Sequence, residues 1–274
     1  MVCYDRVVRG LSDRLKAKLP KDYSEQTYAS PYAIVRHAHQ ARLSVVVDYL
    51  LSKQPRRILD YGAGDGQMIV EAISRGLRPE SIVAYEPVQQ FVDMLRVKLE
   101  DHDLNSAVEV VTERSQLDTQ EFDCIACMEV LEHMPLNERE SFYALCEDTL
   151  SSEGVAMVAV PVEFGPTLLI KNLGRTLLKG RAPEYSAREL LKLSLGSKFY
   201  DPERFDPSND ATWIQDHRGF DYRLLRDEMG YRFTIEQQVP TPITWVPPPL
   251  GNQGVLFVVS LRDDPRPTQA RHPQ

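Results

Sequence analysis

The sequence is poor in cysteine, in long apolar runs and in net positive charge, and each deficit excludes a class of protein. Four cysteines, Cys3, Cys124, Cys127 and Cys146, form no pattern of secreted disulfides. No apolar run approaches membrane-spanning length, and charged residues interrupt the stretch where a signal peptide would lie. The formal net charge of -8 gives no global reason to bind a polyanion. We therefore expect a cytoplasmic protein whose basic sites are local.

The 274 residues suit one large domain with an insertion, and the 42% hydrophobic and 26% charged content is ordinary for a globular protein. Strand-like and helical patterns alternate along most of the chain. Because such strands need crossover connections, the pattern predicts a doubly wound, mostly parallel α/β sheet covered on both faces. We divide the chain into an N-terminal helical segment (1–53), a core (54–161), an inserted basic helical cap (162–215), the C-terminal part of the core (216–262) and a disordered tail (263–274).

The most informative stretch is a short apolar run that ends in Asp60 and continues into three alternating glycines, Gly62, Gly64 and Gly66. Glycine at every second position lets the chain turn sharply and lets a ligand approach the backbone amides. Apolar residues at positions 68, 69, 72 and 73 then predict a half-buried helix. The glycines therefore lie between a strand and a helix N-terminus, which favours the anionic group of a cofactor.

Two cofactors suit such a turn, a dinucleotide and S-adenosylmethionine (SAM). A dinucleotide fingerprint reads G-x-G-x-x-G, so its third glycine would fall where Gln67 stands. A second signal is Glu86, an acid directly after the second predicted strand and followed by Pro87. A carboxylate there can accept hydrogen bonds from both hydroxyls of a ribose, the alternative being a cap on the following helix.

A third motif, Met128-Glu129-Val130-Leu131-Glu132-His133, spans the end of the fourth predicted strand. With Asp60-x-Gly62-x-Gly64-x-Gly66 and Glu86 in this order, the chain resembles the class I SAM-dependent methyltransferases. The resemblance is to the branch with an E-V-L-E-H signature, which includes ubiquinone-biosynthesis O-methyltransferases, and it covers about Ile58 to Val162. It implies a seven-stranded Rossmann-like methyltransferase fold with SAM as the cofactor.

The resemblance also implies which residues contact the cofactor. These are Asp60 and the glycines Gly62, Gly64 and Gly66 for the methionine part of SAM, Glu86 with Pro87 for its ribose, and Met128 with Glu129 near the adenine or sulfonium. The segment Thr112-Glu113-Arg114-Ser115 takes the place where the family contacts adenine. It departs from the usual Gly-Asp-Ala-like pattern there.

A cluster of acids and histidines carries the candidate chemistry. Glu129, Glu132 and His133 are spaced so that a helical turn would place them on one face. The segment Asp216 to Tyr222 loosely resembles a later segment of the small-RNA 3′-terminal 2′-O-methyltransferases, with His217 in the matching place.

Three roles remain open for this cluster. Carboxylates and imidazoles could hold Mg²⁺ or Mn²⁺ with further ligands. Without a metal, the catalytic candidates are His133 or His217 as general base, with Glu132 beside them or in contact with the acceptor. The third alternative is that Glu132 and His133 only cap and order the start of a helix.

The predicted cap is locally basic. Between Leu168 and Tyr200 seven basic residues stand against two acidic ones, and Lys171, Arg175 and Lys179 recur at helical spacing. This spacing predicts an amphipathic helix over Leu168 to Gly180. A positive cap over the carboxyl ends of the strands would select an anionic acceptor, such as a phosphorylated, lipid-linked or nucleotide-activated sugar. The alternatives are contact with an anionic membrane and a solvated helix face.

Taken together, the motifs predict a SAM-dependent methyltransferase that acts on a small or glycan-like acceptor, with O-methylation favoured. A second hypothesis is RNA 2′-O-methylation with a divalent metal, although the acidic balance and the lack of an evident RNA-binding domain argue against nucleic acid. A third is a non-catalytic SAM-binding or interaction protein.

The C-x-x-C pair, Cys124 and Cys127, lies in a predicted strand and is interpreted as two buried thiols on opposite faces rather than a zinc or redox site.

Overall fold

The computed structural model describes residues 33–169, 171–172, 185–197, 214 and 217–263, with side chains from His39 onward. Three predictions fall wholly or largely outside these residues: those on the chain before residue 33, on most of the basic helix at 168–180 and on the tail from residue 264. Within the described part, the predicted alternation of strands and helices is confirmed.

The helices and strands follow one another in a regular order. They are α1 (Ala33–Lys53), β1 (Arg57–Tyr61), α2 (Gln67–Ser74), β2 (Ser81–Tyr85), α3 (Gln89–Asp101), β3 (Val108–Val111), β4 (Phe122–Met128), α4 (Leu136–Thr149), β5 (Leu150–Pro161), α5 (Ala187–Ser194), α6 (Tyr222–Arg232), β6 (Phe233–Thr241), α7 (Pro248–Gly251) and β7 (Gly254–Leu261). Short 3₁₀ turns lie at Arg114–Gln116 and Leu131–His133.

The strands form one seven-stranded sheet in the order β3-β2-β1-β4-β5-β7-β6. Neighbours from β3 to β5 are parallel, and β7 is antiparallel to both β5 and β6. This confirms the predicted mostly parallel, doubly wound sheet. The chain winds outward from β1 through β2 to β3 and then crosses to β4 on the other side of β1. The carboxyl ends of β1 and β4 therefore flank the crevice where such sheets bind ligands.

Alternate residues of the strands pack into two separate cores, one on each face of the sheet. Leu59, Ile125 and Cys127 belong to one core, whereas Ile58 and Cys124 belong to the other. The two cysteines of the C-x-x-C pair are thus buried free thiols on opposite faces, as predicted. Burial raises the pKa of Cys124 to about 12, so it stays an unreactive thiol at neutral pH.

Helices cover both faces, which explains why the strands are apolar along their whole length. Helices α1, α2 and α3 pack over the Cys124 face, and α1 contributes a stripe of Leu43, Val46, Val47 and Leu50. Helices α4 and α6 supply aromatic and aliphatic side chains to the Cys127 face. Among the described residues, no helix combines the length and apolar character needed to cross a membrane.

The residue pattern also predicts strands over 154–161 and 231–239, and the starts of both differ in the structure by two residues or more. Strand β5 starts at Leu150 instead of Gly154, because Leu150 already pairs with Phe122 ahead of a register shift. A Cβ on Gly154 would lie 3.0 Å from the Phe122 carbonyl oxygen, so this glycine allows the close approach at that irregularity. Strand β6 starts at Phe233 instead of residue 231, because α6 continues to Arg232.

Candidate functional site

The turn after β1 lies against the end of β2. The amides of Gly62 and Ala63 both donate to the carbonyl oxygen of Tyr85, at 2.9 and 3.0 Å. Gly62, Gly64 and Gly66 have positive φ angles of 76°, 56° and 77°, which favour glycine. The turn that the sequence predicted between strand and helix is therefore present.

The three glycines differ in what surrounds them. A Cβ on Gly62 would lie 2.5 Å from a methyl of Val130, and one on Gly66 would lie 2.5 Å from a methyl of Leu95. No described atom lies within 4 Å of the Cβ position at Gly64. The turn is therefore packed tightly behind Gly62 and Gly66 and open at Gly64, where a cofactor could reach the backbone.

Glu86 joins this turn to the start of α3. Its side chain is buried, Oε2 accepts from the Gly64 amide at 2.9 Å, and Oε1 accepts from the Val88 amide at 2.9 Å. The N-cap residue of α3 is Val88, and α3 has no side-chain hydrogen bond at its cap, so Glu86 binds the chain ahead of the helix without being its cap. Each carboxylate oxygen accepts more than one hydrogen bond, so the ribose contact stays a prediction that this geometry permits. Burial raises the pKa of Glu86, and the two backbone hydrogen bonds oppose that rise.

Asp60 at the end of β1 is buried, and its Oδ2 accepts no hydrogen bond from the described residues. Burial, together with the nearby charges of Glu86 and Asp65, raises the pKa of Asp60 to about 8. A buried carboxyl with an unused acceptor is costly unless a ligand supplies the partner. SAM carries positive charge on its ammonium and sulfonium groups, so these residues fit that cofactor.

Lys98 secures the start of α2. Its Nζ lies 2.5 Å from Asp65 Oδ2 and 2.8 Å from Gln67 Oε1. Gln67, which breaks the dinucleotide fingerprint, therefore binds a lysine of α3. No local pattern predicts these contacts, because Lys98 lies 33 positions from Asp65 and 31 from Gln67 in the chain.

Glu129 pairs with helix α1 instead of converging with Glu132 and His133, with which it was expected to share a face. Its φ angle is +57°, and the following turn is the 3₁₀ segment Leu131–His133. Its Oε2 forms an ion pair with the buried Arg42 of α1 at 2.7 Å. The residues whose ligand atoms lie within 4.8 Å of one another are Glu132, His133 and His217. The predicted one-face grouping is therefore wrong for Glu129, since its left-handed backbone directs it to α1.

The two histidine rings face each other. Their Nε2 atoms are 3.2 Å apart and their ring centroids 4.8 Å apart. The Nδ1 of His133 lies 2.8 Å from the carbonyl oxygen of Ile214, and the Nδ1 of His217 lies 3.0 Å from Glu163 Oε1. Because both partners are acceptors, we assign a hydrogen to each Nδ1. With these tautomers the two Nε2 lone pairs converge on the space between the rings, where a proton donor or a cation would contact both.

Two buried carboxyl groups flank this pair. Glu132 is fully buried, and burial, followed by the charge of Glu129, raises its pKa well above the usual range. Glu163 is buried as well, and its Oε1 contacts the Nζ of Lys171 in addition to His217. The solvated-face alternative is therefore wrong for Lys171, whose charge is directed to a buried acid. The two imidazole nitrogens with the Glu132 carboxyl form a donor set suited to a proton or to a transition-metal cation.

The alternative that Glu132 and His133 only cap a helix finds no support. Helix α4 follows Pro135 with no side-chain hydrogen bond at its cap.

The segment Thr112–Ser115, which was predicted to contact adenine, lies at the carboxyl end of β3. Glu113 and Gln116 form a capping box there, and Arg114 donates to the Ser141 carbonyl at 2.8 Å. Its contact with adenine stays a prediction.

Sequence reasoning missed Arg42 and Glu163, although each carries a signal. Arg42 precedes Leu43 at the edge of the apolar stripe of α1, where a charged residue needs a buried partner. Glu163 follows the end of β5 by two residues. The reasoning applied to Glu86, an acid directly beyond a parallel strand, would have singled it out.

The strand order, the open glycine turn after β1 and the buried acid after β2 define a class I SAM-dependent methyltransferase domain. The methyltransferase domain family matches residues 35–194, more than half of the chain, so the chain belongs to this family. It is 40% identical over 53 residues to uncharacterized methyltransferases of Mycobacterium bovis and Mycobacterium tuberculosis, a stretch covering 19% of this chain. The chain spans about a fifth of the length of these curated relatives, at 21%.

Solved structures show the same fold. The methyltransferase domain of bacterial CtHen1-C aligns with 82% of this chain and 98% of its own, with a TM-score of 0.51 and 16% identity. Magnesium protoporphyrin IX methyltransferase of Synechocystis PCC 6803, with bound S-adenosylhomocysteine (SAH), aligns with 91% of this chain and 92% of its own. Its TM-score is 0.53 and its sequence identity 13%. The small RNA methyltransferase HEN1 aligns with 85% of this chain and 27% of its own, with a TM-score of 0.55 and 12% identity. At these identities the likeness concerns the fold, and the E-V-L-E-H branch stays a prediction.

Proposed function

We propose that this chain transfers a methyl group from SAM to a hydroxyl of a small or glycan-like, anionic acceptor. The observation that carries the proposal is the facing pair of His133 and His217, with the His217 ring held by the buried Glu163. A hydroxyl must lose its proton to become a good nucleophile. A paired imidazole at the carboxyl edge of the sheet supplies the acceptor for that proton.

The cofactor would be held by the residues around the open glycine. Glu86 would accept from the ribose hydroxyls, and the backbone at Gly64 would approach the methionine part. Asp60 would bind a positively charged group of the cofactor, which offsets the cost of its burial. When bound, SAM supplies a methyl group on a positively charged sulfur, so the protein's task is positioning and exclusion of water.

Proton transfer to the histidine pair is supported by its surroundings. The proton leaves the acceptor oxygen and binds an Nε2 lone pair of His133 or His217. Glu163 then stabilises the imidazolium that forms, as a carboxylate does for a paired histidine in other active sites. The contact of Lys171 with Glu163 favours the ionised form of that acid.

The anionic character of the acceptor is proposed from local charge. The segment between Leu168 and Tyr200 is basic within an acidic chain. Of its described residues, Arg188 and Lys192 are exposed on α5. Helix α5 is joined to the region beyond β5 by the Gly165 amide, which donates to the Leu193 carbonyl at 3.0 Å. Exposed cations beside the site would attract a phosphorylated or nucleotide-activated sugar.

A second candidate is RNA 2′-O-methylation assisted by a divalent cation. It is favoured by the convergence of Glu132, His133 and His217 donor atoms within 4.8 Å. A cation there would occupy the place that the first proposal gives to a proton. Titration of the purified chain with Mn²⁺ tests the site directly. Binding that is abolished in His217→Ala and retained in His102→Ala, an exposed histidine, would support the second candidate. Activity undiminished after dialysis against EDTA would contradict it.

Transfer of tritiated methyl groups distinguishes these functions. The purified chain is incubated with SAM labelled in its methyl group and with separated RNA and small-metabolite fractions of cells. The proposal predicts label in the metabolite fraction and none in RNA. Label in RNA alone would replace it with the second candidate. Tight SAM binding by calorimetry with no transfer to any fraction would indicate a non-catalytic SAM-binding protein.

A further inference from the structure

Exposed apolar side chains are concentrated at one edge of the molecule. Among the described residues, eight large hydrophobic side chains are exposed, and six of them lie in residues 169–250 beyond β5 and β6: Leu169, Leu191, Leu195, Ile243, Trp245 and Leu250. We call these six side chains the apolar rim. Trp245 is 84% exposed and Leu195 is 79% exposed. Scattered exposed apolar residues are ordinary, whereas a contiguous group marks an interaction surface.

Contacts of the backbone join the parts of the apolar rim. The Gly165 amide donates to the Leu193 carbonyl of α5 at 3.0 Å, and Thr167 Oγ1 donates to the Pro249 carbonyl at 3.2 Å. A Cβ on Gly165 would lie 2.6 Å from Pro249. The segment after β5 therefore lies between α5 and the β6–β7 connection. Because Pro161 pairs with Gly254, this connection lies at the carboxyl edge of β5, on the side of the candidate site.

The loop that bears Trp245 is held rigidly. The fully buried Asn252 accepts from the Ile243 amide at 2.7 Å and donates to the carbonyl oxygens of Ile243 and Val246 at 3.0 and 2.7 Å. A buried amide with three hydrogen bonds to one loop fixes its shape. Trp245 is thus presented to solvent by an ordered backbone.

Helix α5 divides its leucines between the core and the solvent. Leu193 is buried and Leu190 packs on the core, while Leu191 and Leu195 are exposed. Arg188 and Lys192 are exposed on the same helix, at spacings that place them beside these two leucines. The acid of α5, Glu189, is turned to Arg218 at 2.8 Å. The exposed face of α5 therefore combines apolar side chains with positive charge.

We propose that the apolar rim docks this chain on the surface of an anionic lipid bilayer. Tryptophan and leucine side chains enter the headgroup boundary, and adjacent lysine and arginine bind anionic headgroups. Residues 240–253 contain no charged side chain, so no charge of that loop opposes its insertion. The net charge of -8 over the whole chain would repel such a surface elsewhere, so a local basic and apolar patch orients the molecule. The docking proposal rests on the apolar rim together with Arg188 and Lys192, two cations that the proposed function also uses, and it goes beyond the proposed reaction.

Tryptophan fluorescence with lipid vesicles tests the proposal. The chain has two tryptophans, and Trp213→Phe leaves Trp245 as the reporter. Vesicles of phosphatidylcholine with about a third phosphatidylglycerol are predicted to shift the Trp245 emission to shorter wavelength, and pure phosphatidylcholine to do so much less. Replacing Leu191 and Leu195 together by Ser is expected to lower partitioning about tenfold or more, because buried apolar area drives insertion.

Tyr231→Ser provides the matched control, since Tyr231 is exposed outside the apolar rim. It is expected to leave partitioning unchanged, and unchanged melting temperatures of all variants would show that they fold. Absence of any emission shift with anionic vesicles would overturn the proposal. A dimer in sedimentation velocity that the double Leu variant dissociates, without vesicle binding, would assign the apolar rim to a second copy of the chain instead.

Discussion

Asp60, Glu86 and Glu132 are buried acids whose pKa values burial raises. Asp60 lies near the end of β1, Glu86 follows β2 directly, and Glu132 lies in the 3₁₀ turn after β4. Such groups cost stability, because the folded chain must keep a charge out of water or bind a proton. For Asp60, whose Oδ2 accepts no hydrogen bond from the described residues, we expect a positively charged group of a ligand to offset this cost.

Replacing Asp60 by Asn is expected to stabilise the protein. The pKa of Asp60 is about 8 in the folded chain against 3.8 in the unfolded chain, so the native state loses stability as the pH rises from about 4 to about 8. The variant lacks this loss. Its free energy of unfolding at pH 7 should exceed that of the parent by about 2 kcal/mol or more, and the difference should shrink toward pH 4. Urea unfolding at several pH values measures it, and a variant less stable at all pH values would contradict the assignment.

SAM binding should couple to the ionisation of Asp60. A cationic ligand favours the carboxylate, so binding near pH 7 should release a proton and the affinity should rise up to about pH 8, the pKa of Asp60. Calorimetry in buffers of different ionisation enthalpy measures the released proton. The proton release should be absent in Asp60→Asn. Any pH dependence that remains in this variant then belongs to the titration of SAM itself.

Glu86→Ala is expected to weaken SAM binding at least about tenfold, because a charge-assisted hydrogen bond contributes about 1.5–3 kcal/mol. The matched control is Glu80→Ala, an exposed acid at the opposite end of β2 that pairs with Arg56. Calorimetric titration with SAM compares the two. Equal affinities in both variants would remove the ribose assignment.

At the scale of elements, the sequence indicated the glycine turn and the strand that precedes it, and the structure confirms both. The period-2 and helical patterns of β1 to β4 are local, so their bounds could be predicted within about two residues. The late start of β6 could not, because α6 is prolonged by Arg232, which pairs with Glu140 and Glu147 of α4. Contacts between residues far apart in the chain leave no local pattern.

The contrast between Gly62 and Gly64 gives a test of the turn. A methyl at Gly62 collides with Val130, whereas one at Gly64 enters open space. We therefore expect Gly62→Ala to lower the free energy of unfolding by about 2–4 kcal/mol, and Gly64→Ala by about 1 kcal/mol, the cost of its positive φ. SAM affinity should fall in the well-folded Gly64→Ala variant. Thermal unfolding with and without SAM measures both effects. Equal stabilities would contradict the packing described here.

At the scale of the whole molecule, one sheet carries the glycine turn after β1, the histidine pair and the apolar rim at its carboxyl edge. The order of the motifs predicted the positions of the glycine turn and of Glu86, because glycines and acids that follow strands can be recognised in a sequence. The contact between His133 and His217 joins residues 84 positions apart, so no local pattern predicts it. Glu163 and Arg42 carry sequence signals, but their partners became known through the burial and ion pairs of the folded chain. The divergence of Glu129 likewise required its backbone angle.

The most direct test of the central claim is the chemical form of the transferred methyl group, measured in parent, His217→Ala and His102→Ala. The claim predicts tritium from SAM in an alkali-stable methyl ether of a small or glycan-like acceptor, at least about a hundredfold slower in His217→Ala, since general bases contribute that much. His102→Ala should match the parent. Label in an alkali-labile ester or on nitrogen, or an undiminished rate in His217→Ala, would contradict it.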